Sequence, residues 1–149
     1  NCVVVHLATT AYLMQAEWRD APVLTIGDVI WDGDSCFNVS SESLEDILAT
    51  GPAPNTVINI HVWLTFPDLT VLDLTFPCWQ CKQNGEAMDL GERGALRVFG
   101  DPEKLREHIE YRPMLVGPEL VWRIGAVTDA DHQNYLELRK GWLNRGVAN

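Results

Sequence analysis

The segment TVINIHVWLTFPDLTVLDLTFP, Thr56 to Pro77, reads as two β-strands joined by a tight turn. β-branched and aromatic residues fill Thr56 to Phe66 and Thr70 to Phe76, with Pro67-Asp68-Leu69 between them. The parity of the loop sets which side chains meet. With three residues in it, Phe66 pairs with Thr70, Trp63 faces Asp73 and His61 faces Thr75. His61, Trp63, Asp73 and Thr75 then share one face of the sheet, and His61 and Asp73 become diagonal neighbours roughly 7–8 Å apart at the backbone. A two-residue loop would put them on opposite faces. Two strands have no structural need of either residue. A histidine oriented by a carboxylate is two thirds of a nucleophilic triad.

The missing nucleophile leads to the start of the chain. Asn1 suits an N-cap, and Cys2 follows it in the first turn of an expected helix. Val4, Leu7, Ala8, Ala11, Met14 and Trp18 recur at helical spacing and predict its apolar face. Pro22 disfavours helix at the residue before it, so the helix is expected to end near Arg19-Asp20. Unpaired N–H groups and the helix dipole at such an N-terminus stabilise a thiolate, which is the nucleophilic form of cysteine. The N–H of Cys2 can also donate to a developing oxyanion. The ordinary alternative is a small buried hydrophobe. Cys36 is the rival nucleophile, but it lies several residues before the expected cap of the next helix. His6 is one turn from Cys2 on the same helix face; it reads as a solvated histidine with no visible carboxylate partner.

Around these residues, Val23 to Trp31 predicts a strand with an irregularity at Gly27, followed by a turn at Asp32-Gly33-Asp34. Ser41 or Ser43 is expected to cap a short helix ending near Thr50. Cys78 to Gly94 reads as polar and irregular. Within it, Cys78 and Cys81 form a C-x-x-C. Redox use of that motif wants a strand-to-helix setting, and zinc wants two further ligands, whereas His108 and His132 stand isolated. Incidental thiols or a local disulfide are the favoured reading, and no metal or cofactor is expected. Asp101-Pro102 is expected to open a helix to about Tyr111, Leu120 to Val127 to form a strand, and Asp129 to Asn144 a terminal helix. The sum is a single α+β domain over residues 1–149: an N-terminal helix on an antiparallel sheet, with flanking helices.

The chain's 149 residues, 46 % hydrophobic with six tryptophans, suffice for a real core. A formal net charge of -10 disfavours nonspecific binding to nucleic acid or an anionic membrane. No apolar run reaches the roughly 18–20 residues of a membrane helix, and no signal peptide is visible. Four cysteines do not make a disulfide-dense pattern, so reduced thiols and a cytoplasmic location are the simplest expectation.

A cysteine opening a helix, a later strand with H-x-W and a following strand with L-D-x-T together resemble the transglutaminase-like branch of the papain-like cysteine enzymes. The matching residues are Asn1-Cys2, Thr25-Ile26-Gly27-Asp28-Val29, His61-Val62-Trp63 and Leu72-Asp73-Leu74-Thr75. The resemblance covers roughly the first half of the chain. It implies a papain-like core with Cys2 as nucleophile, His61 as general base and acid, and Asp73 as orienting carboxylate. It places Trp63 beside the site as a substrate-binding residue, and it leads one to expect a further oxyanion donor ahead of the cysteine. The implied chemistry is acyl transfer through a thioester on a protein or peptide substrate, as a protease, a deamidase or a transglutaminase. A non-catalytic binding domain of the same fold is the alternative.

Overall fold

The structure, a computed structural model, describes residues 2–16, 20–54, 58–85, 98–105 and 109–146. In chain order its elements are α1 (Cys2–Gln15), β1 (Val23–Trp31), β2 (Asp34–Ser35), α2 (Ser41–Thr50), β3 (His61–Thr65), β4 (Val71–Asp73), α3 (Phe76–Gln83), β5 (Val98–Gly100), α4 (Pro102–Leu105), β6 (Ile109–Val116), α5 (Glu119–Arg123) and α6 (Asp129–Gly146). The class is mixed α+β, and every strand pairing is antiparallel. β1 is the axis of the sheet. β6 runs along one edge of it, while β3 and then β2 share the other; β4 and β5 continue outward from β3.

Side-chain alternation gives the sheet two apolar faces. Leu24, Ile26, Val62 and Leu64 join Val3 of α1, Leu44 of α2 and Leu120 and Val121 of α5 in one core. Val29, Trp63 and Val71 pack with Phe37, Phe76, Ile109 and Tyr111 in the other. Covered on both sides, β1 is buried from Leu24 to Ile30, and its bounds are those its composition predicts.

The irregularity at Gly27 is a shift of the β1–β6 register between Ile26 and Gly27. Gly27 is paired directly with His61 on its other side. A Cβ there would lie 2.0 Å from the Arg112 carbonyl oxygen and 2.9 Å from Trp63 Cη2. Only glycine lets β6 and the Trp63 indole close on β1 at this point. Gly27→Ala is therefore expected to cost about 2 kcal/mol of stability through overpacking. Urea denaturation measures it; an unchanged midpoint would show that β6 is not held this close.

Several expected elements differ. α1 ends at Gln15, ahead of Arg19-Asp20, and Trp18 lies outside the described residues. Its buried residues are Val3, His6, Thr10 and Met14, whereas Val4 of the predicted apolar stripe is 53 % exposed. The inward polar residues are satisfied locally, since the Thr10 hydroxyl donates to the His6 carbonyl at 2.9 Å. The cap of α2 is Ser40, not Ser41 or Ser43; Ser40 and Ser43 form a reciprocal capping box. The strand expected to reach Phe76 stops at Asp73, and α3 starts at Phe76 with Pro77 in its first turn. Of the helix expected up to Tyr111, the described residues hold α4, Pro102–Leu105. Ile109 onward is β6, whose partner β1 supplies the ladder that no local signal announces. The expected strand at Leu120 is instead α5: a short apolar run fits a buried helical turn equally well. α6 forms where expected.

Candidate active site

The β3–β4 hairpin takes the three-residue loop. Leu64 pairs with Leu72 and Thr65 with Val71, and the Phe66 N–H donates to the Thr70 carbonyl at 2.9 Å. Leu69 closes the loop with a left-handed backbone, φ +69°. This register puts His61, at the start of β3, on the same face as Asp73, at the end of β4. Their side chains meet, with His61 Nε2 2.6 Å from Asp73 Oδ2. Both are buried, His61 at 2 % exposed and Asp73 at 0 %.

Asp73 is the hub of the site. Its Oδ1 accepts the backbone N–H groups of Thr75 (2.9 Å) and Phe76 (3.0 Å) and the Thr75 hydroxyl (3.2 Å), and so ties down the start of α3. Its Oδ2 accepts the Tyr111 hydroxyl at 3.0 Å as well as His61. Burial works against the carboxylate's charge. The bond and charge of His61 and the two N–H groups outweigh it, and they hold Asp73 below the usual carboxylate range. Burial also works against an imidazolium at His61. Its hydrogen bonds with Asp73 and with the Cys2 thiol prevail and raise it to about 9. Tyr111 is pushed well up by burial and by Asp73, so its hydroxyl stays a donor.

Cys2 opens α1, half-buried and free, within hydrogen-bonding reach of His61. Asp73 occupies Nε2 of that imidazole, which leaves Nδ1 as the nitrogen for exchanging a proton with the thiol. Cys2, His61 and Asp73, spread over 71 positions of sequence, are thus brought together, the His61–Asp73 meeting as strand parity predicts.

Trp63 is 1 % exposed. It stacks on His61 (ring centroids 6.1 Å) and meets Tyr111 edge-on (5.1 Å). It touches the site through the imidazole and has no surface free for a substrate, in contrast to the expected substrate-binding role. Phe37 covers the imidazole instead, stacked at 4.8 Å and 11°. The buried Asp28 holds Phe37 there, accepting its N–H at 3.0 Å together with the Val29 N–H and the Ser35 hydroxyl. Cys36 packs against the second core with Sγ toward the Asp34 carbonyl. Burial and the nearby Asp28 raise its thiol's pKa, the opposite of what a nucleophile needs.

His6 is the largest departure from the sequence reading. It is 0 % exposed, not solvated, and its Nε2 lies 3.6 Å from Asp73 Oδ1, so it has a carboxylate neighbour after all. Tyr111 carried no sequence signal either, because its role depends on β6 pairing with β1. The C-x-x-C sits on α3 after β4, a strand-to-helix setting in place of the expected irregular one. Cys78 is free, and the Cys81 side chain and His108 lie outside the described residues. Among the described residues no group of three His, Cys, Asp or Glu is placed to hold a metal ion, and no helix is long and apolar enough to cross a membrane.

Comparison with known proteins finds no matching family model, no significant match among curated proteins and none among solved structures.

Proposed function

We propose that this chain is a cysteine-dependent acyl-transfer enzyme with a papain-like, transglutaminase-like core, acting on a protein or peptide amide. The observation that carries it is the buried 2.6 Å bond between His61 and Asp73 beside a cysteine at a helix N-terminus. In the reactive state the Cys2 proton resides on Nδ1 of His61, and Asp73 stabilises that imidazolium beside the thiolate. The thiolate attacks the carbonyl carbon, and the backbone N–H of Cys2 is the candidate donor to the oxyanion. Collapse of the adduct breaks the C–N bond, the His61 proton goes to the leaving amine, and a thioester remains on Cys2. Water, deprotonated by His61, then releases the acid as in a protease or deamidase; an amine in its place gives a transglutaminase product. A cytoplasmic location, where thiols stay reduced, goes with this reading.

One observation favours a second reading, a binding domain that retains the arrangement without turnover: Phe37 lies flat on an imidazole only 2 % exposed. Iodoacetamide labelling at pH 6.5, mapped cysteine by cysteine, separates the two. Acyl transfer predicts that Cys2 reacts well ahead of Cys36 and Cys78, and that His61→Ala slows it by about tenfold or more. Equal rates at all three thiols, or a Cys2 rate indifferent to His61, would leave the binding-domain reading in its place.

A further inference from the structure

His6 lies one turn below Cys2, on the inner face of α1. Its Nδ1 is 2.8 Å from the Cys2 carbonyl oxygen, and its Nε2 is 3.0 Å from the backbone nitrogen of Leu74, the residue after Asp73. The partners dictate the tautomer. A carbonyl only accepts, so Nδ1 carries the hydrogen; a backbone N–H only donates, so Nε2 is a bare lone pair. A doubly protonated ring would aim N–H at N–H. Burial disfavours that charged form too, and Asp73 at 3.6 Å only partly opposes it. One carboxylate thus stands between two histidines of different character, a charged one at His61 and a neutral one at His6.

We propose that His6 is a positioning residue for the site: its ring is a rigid strut that fixes the Cys2 end of α1 against the strand end carrying Asp73. The inference rests on Cys2 being the nucleophile. The two ring nitrogens span the gap between the nucleophile's own peptide and the residue next to the orienting carboxylate. His61 also spans these segments, but through the Cys2 thiol and the Asp73 carboxylate, whereas His6 joins their backbones. Because the ring is neutral, it ties the segments together without drawing the Asp73 charge away from His61. Displacement of a reacting group by about 1 Å can cost about 10²-fold in rate, so loss of such a strut should register at the thiol.

The test pairs two variants that each keep one bond. In His6→Asn the amide nitrogen can replace Nδ1 but not reach Leu74; in His6→Gln the amide oxygen can replace Nε2. Cys2 labelling at pH 6.5 and the His61 imidazole titration, followed by NMR, are compared with the wild type alongside His61→Ala. The expected result is folded variants in which Cys2 labels at least about fivefold more slowly and the His61 titration moves, while Cys36 and Cys78 keep their rates. Folded variants with wild-type Cys2 labelling and His61 titration would make His6 an ordinary core residue. If His61→Ala itself leaves Cys2 unchanged, the nucleophile reading fails and the strut's role with it. If His61→Ala slows Cys2 and the His6 variants do not, only the strut fails. Should neither variant fold, the ring ¹⁵N shifts of wild-type His6 decide: a proton on Nδ1 alone near pH 7 supports the strut, and a protonated Nε2 overturns it.

Discussion

Asp73→Ala is expected to lower stability by about 4 kcal/mol and to remove the His61 dependence of Cys2 labelling. Few side chains in the molecule have so much attached to them. The substitution leaves the Thr75 and Phe76 N–H groups at the start of α3 without their acceptor. It also strands the buried Tyr111 hydroxyl and takes the counter-charge from His61. Each unsatisfied buried group carries a desolvation penalty, and an imidazolium at 2 % exposure cannot find water in compensation. Asp73→Asn should be milder, because its amide oxygen still serves the two N–H groups while its charge is gone. Urea unfolding of the three proteins measures the series. An Asp73→Ala protein as stable as the wild type would mean that the hub is not a hub.

Stability is expected to fall as pH rises from 6.5 to 9, opposite to the behaviour of an ordinary carboxylate-dominated protein at its acid end. His61 is raised from 6.5 to about 9 in the folded state. Below 6.5 the imidazole is charged whether the chain is folded or not, and the full benefit of its bonds to Asp73 and Cys2 is present. Above 6.5 the unfolded chain releases the proton first, so the benefit shrinks, and it is gone once the folded site loses its proton near 9. The amount at stake is about 3 kcal/mol. His6 has the opposite sign. Its depressed pKa means that stability is lost as the pH drops below 6.5, where only the unfolded chain accepts the proton. Asp73, also depressed, adds a further loss at still lower pH. The urea midpoint should therefore peak near pH 6.5, and His61→Gln should flatten the alkaline limb. A wild-type midpoint that climbs from pH 7 to 9 would overturn the assignment of charge to His61.

What the sequence alone determined about this protein lies in periods and punctuation. Strand alternation and a three-residue loop put His61 and Asp73 on one face, because a period of two leaves only two answers once the loop length is known. A run rich in β-branched and apolar residues, Val23 to Trp31, marked β1, and acidic residues at one end with basic ones at the other marked α6. What only the tertiary structure decided are the roles of residues whose partners are far away in the chain. The apolar stripe of α1 pointed to Val4, yet the inner face holds His6 and Thr10. Hydrophobicity records the cost of burying a polar ring, not whether the N–H of Leu74, 68 residues on, waits there to satisfy it. Tyr111 reaches Asp73 only because β6 zips onto β1 beyond the Gly27 irregularity, and its local sequence fitted a helix as well. Local patterns carry the backbone's preferences; which polar side chains turn inward depends on partners that only the folded chain supplies.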